Sequence, residues 1–243
     1  MLHLSCRQMR IVVLSGAGIS AESGIRTFRD AGGLWEGHRI EDVATPEAWQ
    51  RNPDMVLDFY NQRRLNLLQS HPNAAHLALA ELEKTHEVHI ITQNVDDLHE
   101  RAGSTKILHL HGELMYARSS GETGFRLRLD DGLMHAGMRC PDGFPLRPDI
   151  VWFGEPVPMM DEAIYLTSKA DALLIVGTSL EVYPAAGLLN FAPHGCGIWL
   201  VDPNRHQEKS AQGIRCIAEP ASSGVPKAIA EIKEFYGKAG THS

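Results

Sequence analysis

Two histidines and a run of polar residues stand where they could move protons. "ILHLHGEL" (107–114) carries His109 and His111 at alternate positions, and "ITQNVDDLHERAG" (91–103) carries Gln93, Asn94 and Asp96 in quick succession. An imidazole titrates near neutrality, so His111, next to Gly112 at the end of an apolar run, can take a proton from a hydroxyl. An amide and a carboxylate beside it can orient a ligand and stabilise positive charge. A third stretch, "LSGAGISAESGIRTFRD" (14–30), puts Gly16 and Gly18 directly after another apolar run. Glycines there let the backbone come close to a phosphate, with the following amides as donors. The third glycine of the dehydrogenase fingerprint is missing, and a long insertion displaces any ribose-binding acid. Both features weaken an oxidoreductase reading.

These residues need elements to hold them. "RIVVLSG" (10–16), "EVHIITQN" (87–94), "KILHLHG" (106–112), "DALLIVGTS" (171–179) and "GIWLVD" (197–202) read as strands rich in Val, Ile and Leu on both faces. Helical patterns lie between and after them at 73–84, 96–102, 159–168, 184–192 and 225–236. The alternation predicts an α/β fold with a doubly wound parallel sheet, whose ligands bind beyond the carboxyl ends of the strands. Either histidine or polar motif alone fits a satisfied side chain or a capped helix. Both at adjacent strand ends, facing a phosphate-binding turn, favour chemistry.

Two stretches break the alternation. Residues 32–70 read as helical, with Asn52 as N-cap, Pro53 at the first helical position and Asp54 in the first turn. Residues 115–148 are polar, rich in Gly and Arg, with "GFRLRLDDG" as a candidate hairpin strand. Together they make a second, smaller lobe. A chain 43% hydrophobic and 22% charged can bury a sizeable core. A net charge of −7 argues against nucleic acid and acidic membranes as partners. No apolar run reaches membrane-spanning length. The start, "MLHLSCRQMR", lacks a secretory core, and four scattered cysteines form no C-x-x-C pair, so a cytoplasmic location is expected.

In order and spacing, "GAGISAESGIRTFR", "TQNVDDLHERAG", "HLHGEL", "LRPDIVWFGE" and "VGTSLEVYPAA" resemble the motifs of sirtuins, the NAD-dependent protein-lysine deacylases. The resemblance implies a Rossmann-like NAD-binding domain (1–31, 71–112 and 149–243) and a small domain (32–70 and 113–148). It implies that Gly16, Ala17, Gly18, Ser20 and Ala21 hold the diphosphate of NAD, and that Thr27, Phe28 and Arg29 cover it. Gln93, Asn94 and Asp96 would line the ribose and nicotinamide pocket, with His111 as general base. Gly177, Thr178 and Ser179 would hold the adenosine side, with Asp202 in place of the family's asparagine, and Asn204 and Ala221 near the adenine. Val151, Phe153, Gly154, Glu155 and Val182 would flank an acyl-lysine peptide added as a strand. In this family the acyl oxygen attacks the ribose, nicotinamide departs, and the products are free lysine and O-acyl-ADP-ribose.

The helical stretch "DFYNQRR" (58–64) then gains a meaning. Tyr60 and Arg63 are three residues apart, on one helical face with Val56 and Phe59. They match the Tyr-x-x-Arg pair of desuccinylase-type sirtuins, and Ala44 matches a small residue of that subgroup. A guanidinium fork and a phenol suit an acyl chain ending in a carboxylate, so succinyl and malonyl are expected, with acetyl also removed. Arg64 faces elsewhere and should not affect acyl choice. Where most sirtuins carry two zinc-binding C-x-x-C pairs, this chain has Ser119, Glu122, Cys140 and Gly143. One thiolate cannot hold a structural zinc, so none is expected. The lobe is then expected to pack on Leu127, Leu129, Leu133 and Phe144. Two other readings share the pocket: a non-catalytic sensor of NAD or ADP-ribose, and a protein mono-ADP-ribosyltransferase.

Overall fold

The computed structural model describes residues 8–26, 37–121, 123–130, 133–178, 180, 183–204 and 213–239. Six strands form one parallel sheet: β1 (Arg10–Ser15), β2 (Glu87–Thr92), β3 (Ile107–His109), and, after the small lobe's β4 (Gly112–Ser119), β5 (Arg126–Arg128) and β6 (Leu146–Ile150), then β7 (Ala172–Val176), β8 (Gly197–Val201) and β9 (Ile214–Ile217). Their order is β3-β2-β1-β7-β8-β9. The chain therefore winds outward from β1 in one direction and from β7 in the other, leaving a switch point between those two strands. Leu14 of β1 pairs with Ile91 of β2 on one side and Ile175 of β7 on the other.

β1, β2, β7 and β8 are largely buried on both faces, as their apolar runs predict. One face packs Ile11, Val13 and Ile90 under α4 (Ala74–Leu82) and α7 (Ala221–Ala239). The other packs Val12, Leu14 and Ile175 under α6 (Met160–Thr167) and the segment Ala185–Phe191. That last segment, read as helical over 184–192, is a 3-10 helix. α7 begins a turn earlier than its apolar spacing marks, because Ala221 packs in the same core as Val225.

The small lobe combines α1 (Ile40–Val43), α2 (Pro46–Arg51) and α3 (Pro53–Gln69) with an antiparallel sheet of order β5-β4-β6. α3 starts as expected: the Asn52 side chain accepts from the Met55 amide, with Pro53 behind it. The hairpin strand is β5, paired with β4. The expected leucine core needs correction. Leu129 is buried, but Leu127 and Phe144 are exposed and Leu133 is half-buried. All three β5 residues face solvent, so alternation there does not mark a core face. The apolar cluster is instead Leu57, Ala117, Leu129, Met134, Cys140 and Leu146.

Candidate functional site

The switch point is closed by glycines. The Gly18 amide donates to the Gly177 carbonyl at 2.9 Å, and the Gly16 amide to Val176 at 3.0 Å. A Cβ on Gly18 would lie 2.6 Å from the Gly177 Cα, and one on Gly177, whose φ is +60°, would lie 2.3 Å from the Ile19 nitrogen. Only residues without side chains allow β1 and β7 to end this close together. Gly16, Gly18 and Gly177 also line a cleft, so bare backbone faces it there, a cradle that a diphosphate could approach closely.

The polar strand ends meet at this cradle. Thr92 of β2 is in register with His109 of β3. Beyond them, His111 Nδ1 lies 2.9 Å from the Gln93 carbonyl and His109 Nδ1 lies 3.1 Å from the Asn94 carbonyl. A carbonyl only accepts, so the proton of His111 sits on Nδ1 and Nε2 keeps its lone pair. Burial lowers the pKa of His111, and the Gln93 carbonyl offsets this only in part. His109 goes the other way. Burial pulls it down, but its 2.7 Å bond to Glu100 and the charges of Glu100 and Glu113 outweigh that and leave it raised.

Asn94 and Asp96 are almost wholly buried. Burial raises the Asp96 carboxyl, against the pull of the Leu98 amide, the Ser20 hydroxyl and the His109 charge. Ser20 donates to Asp96 at 3.0 Å and accepts from Asn94 Nδ2 at 3.2 Å. It is fully buried behind these two, positioning them. Gln93 Nε2 reaches Thr178 at 3.1 Å and so ties β2 to β7 across the crevice.

A cleft of about 2010 Å³ gathers these residues. Single small-molecule sites occupy about 300–1,000 Å³, so it has room for a dinucleotide and a second ligand. Gly16, Ala17, Gly18, Ala21, Gln93, Asn94, Asp96 and His111 line it, with Gly177, Thr178, Asp202, Asn204 and Ala221 toward the sheet's other half. Asp202 Oδ1 accepts from the Asn204 amide at 2.8 Å. Ala44, Tyr60 and Arg63 line the same cleft from the small lobe, and Val151, Phe153, Gly154 and Glu155 line it from the loop after β6. The expected site residues Thr27, Phe28, Arg29, Ser179 and Val182 lie outside the described residues.

Gly112 joins the two lobes at His111. Its φ is +80°, and a Cβ there would lie 2.1 Å from the Asp149 carbonyl. The close approach lets the Val151 amide donate to the His111 carbonyl at 2.9 Å. Residues 151–155 are thereby seated beside the histidine. The Phe153 amide donates to the Ala44 carbonyl at 3.0 Å. Glu155 is held by Arg147 at 2.6 and 2.8 Å and accepts from the Trp152 amide at 2.8 Å, so its carboxylate anchors the loop.

Tyr60 has no exposed surface, and its phenol accepts from Trp152 Nε1 at 3.0 Å. Burial pushes its pKa up to about 12, although Trp152, Arg63 and Arg147 pull it down. Arg63 is half-buried, its guanidinium 5.6 Å from the Phe59 ring centre. Sequence reasoning passed over Trp152, whose partner Tyr60 is remote in the chain. Its place in the loop between Val151 and Phe153 was the available signal.

The residues that stand in place of the two C-x-x-C pairs do not fit a structural zinc. The Cys140 sulfur lies 2.9 Å from the Phe144 carbonyl and 3.3 Å from the Ser119 hydroxyl and contacts Asp142, with one S–H to share among them. Gly143 offers no ligand atom, Ser119 is a neutral hydroxyl, and Glu122 lies outside the described residues. Elsewhere, Glu100, His109 and Glu113 bring donor atoms within 4.8 Å of one another. His109 is already bonded to Glu100, and Glu113 is paired with Arg126, so the cluster is a charge network.

With this geometry in view, the family model "Sir2 family" matches residues 16–184. The chain belongs to the Sir2 family. A Helicobacter pylori (strain J99) protein named NAD-dependent protein deacylase is 56% identical, covering 93% of this chain and 96% of its own. A solved Sir2 homologue–NAD complex is 35% identical with a TM-score of 0.81, over 97% of this chain and 92% of that one. A Sir2–p53 peptide–NAD+ structure is 28% identical with a TM-score of 0.77, over 94% and 95%. Among the described residues no helix is long and apolar enough to cross a membrane.

Proposed function

We infer that this Sir2-family chain is an NAD-dependent protein deacylase, and we propose that it removes succinyl and malonyl as well as acetyl groups from protein lysines. Family membership and the relatives named as deacylases support the first part. The second rests on one observation: Tyr60, Arg63 and the small Ala44 line the same cleft as His111 and the glycine cradle. A phenol and a guanidinium three positions apart on α3 can grip a carboxylate at the far end of an acyl chain.

NAD bound there supplies a ribose carbon that takes the acyl oxygen, and the products are nicotinamide, O-acyl-ADP-ribose and free lysine. This chain's residues do the rest. The cradle of Gly16, Gly18 and Gly177 admits the diphosphate. Asp96, buried and held by Ser20 and the Leu98 amide, sets negative charge where the sugar develops positive charge. His111, held by the Gln93 carbonyl and neutral at working pH, offers Nε2 to a ribose hydroxyl proton. Residues 151–154 offer an edge for the peptide backbone. The described cysteines, Cys140, Cys196 and Cys216, are free thiols, which supports a cytoplasmic setting.

Turnover of matched acetyl, malonyl and succinyl peptides, with and without NAD, tests the proposal. The expected result is NAD-dependent release of free lysine from all three. Acetyl turnover alone removes the acidic-acyl reading. ADP-ribose found on the peptide by mass spectrometry shifts the reading to mono-ADP-ribosylation.

A further inference from the structure

Trp152 belongs to none of the roles above, yet it touches the acyl end of the cleft. It is 2% exposed. Its indole N–H points at the Tyr60 oxygen, 3.0 Å away. An indole nitrogen only donates, so the Tyr60 oxygen must accept there. Among the described residues no acceptor takes the phenol's own proton. Tyr60 and Trp152 both border the cleft, Tyr60 wholly buried in its wall, so the phenol's proton is available only to an acceptor that reaches that wall.

The indole is fixed from several sides. The Arg147 guanidinium stacks 3.6 Å from its ring centre and donates to the Ile150 carbonyl at 2.7 Å and to Glu155. The cation over the ring polarises the N–H and strengthens it as a donor. The Phe153 amide, one residue on, is bonded to Ala44 in the acyl wall. Trp152 thus cannot turn away without breaking the loop.

We propose that Trp152 is a specificity-determining positioning residue: by donating to the Tyr60 oxygen it turns the phenol into a donor aimed at the acyl carboxylate. The inference rests on the acidic-acyl reading of the cleft and deepens it. A terminal methyl group cannot accept from the phenol, so acetyl turnover gains nothing from this arrangement. Peptide docking and acyl choice are linked, because one loop, 151–155, serves both.

The test compares kcat/KM for succinyl and acetyl peptides in wild type, Trp152→Phe, Tyr60→Phe and the double variant. Loss of the indole donor should lower the succinyl-to-acetyl ratio roughly five- to tenfold, the size of one hydrogen bond. In the Tyr60→Phe background the same change should lower it no further. If Phe at 152 prevents folding, benzothienylalanine, which replaces N–H by sulfur in the same shape, gives the same reading. Equal losses on both peptides, or losses additive with Tyr60→Phe, overturn the inference. If Tyr60→Phe and Arg63→Met leave the ratio at its wild-type value, the acidic-acyl reading itself fails. If they lower it and Trp152→Phe does not, only the role of Trp152 is lost.

Discussion

Replacing Arg63 by methionine separates the fork from the space it fills. Methionine keeps most of the side chain's volume and apolar stem, so the wall stays closed. What disappears is the charge and its planar donors. Hydrogen bonds to a charged group contribute about 1.5–3 kcal/mol, and a bidentate pair lies toward the upper end. Arg63 is half-buried, which keeps the effect below the roughly 3–5 kcal/mol seen on breaking a fully buried pair. About 2–3 kcal/mol corresponds to a fall of roughly 30- to 150-fold in kcat/KM for a succinyl peptide. The acetyl peptide has no carboxylate to lose, and its kcat/KM should change by less than about threefold, a surface-sized effect. Arg63→Lys keeps the charge without the fork and should fall between. The assay is nicotinamide release on both peptides at matched NAD. Equal losses on the two substrates would refute the reasoning, since they would mean Arg63 supports the fold or the NAD side rather than the acyl chain.

Three further outcomes follow from the histidines. His111→Ala should abolish deacylation while leaving NAD binding by calorimetry largely intact. In the wild type, the lowered pKa of His111 keeps the base neutral further into acid, so the acid limb of the rate should fall below the ordinary value of 6.5. A limb above 6.5 would point to another base. His76 and His99 are fully buried, their rings 4.9 Å apart, with His76 Nε2 and His99 Nδ1 unpartnered. Burial lowers His76 from 6.5 to about 4 and His99 in the same direction. A depressed folded pKa means the unfolded chain takes protons the folded one refuses. Stability is therefore full above 6.5 and lost as pH falls toward about 4, by about 3 kcal/mol for His76 alone. Urea midpoints across that window should drop in wild type and drop less in His76→Gln.

The central strands were legible because a parallel sheet covered on both faces needs unbroken runs of Val, Ile and Leu, and β1, β2 and β7 have them. β9 was missed: it is an edge strand whose residues Ile214, Arg215 and Cys216 are half-buried and carry no period. β6 was hidden by Arg147 and Pro148. Arg147 is buried only because Glu155, Ile150 and the Trp152 ring receive it, and none of these shows in local pattern. The glycines, His111 and the Tyr60–Arg63 pair stood out from type, spacing and resemblance, and all of them line one cleft. The Trp152–Tyr60 bond, the buried His76–His99 pair and the role of Ser20 were not, because each depends on contacts between remote segments.

Arg64 shows how far adjacent positions on one helix can diverge. The sequence marks it as a neighbour of Arg63 that should be silent in acyl choice, and its side chain does turn away from Arg63's wall. It is nonetheless fully buried. Its Nε donates to the Leu114 carbonyl at 2.6 Å and its Nη1 to Asn61 Oδ1 at 3.0 Å. Asn61 in turn exchanges bonds with the Met134 carbonyl and amide at 2.8 and 2.9 Å. α3 thereby clasps β4 and the segment around Met134. Burial lowers the Arg64 pKa to about 10, so it stays charged at neutral pH and depends on those acceptors. Arg64→Ala should destabilise the protein by about 3 kcal/mol through the cavity and the lost bonds to the Leu114 carbonyl and Asn61. Its succinyl-to-acetyl ratio should match wild type. A chelator should leave the wild-type melting curve unmoved, and elemental analysis should find no stoichiometric zinc. A melting curve that collapses with chelator, or an Arg64→Ala protein as stable as wild type, would mean something other than this clasp holds the lobe together.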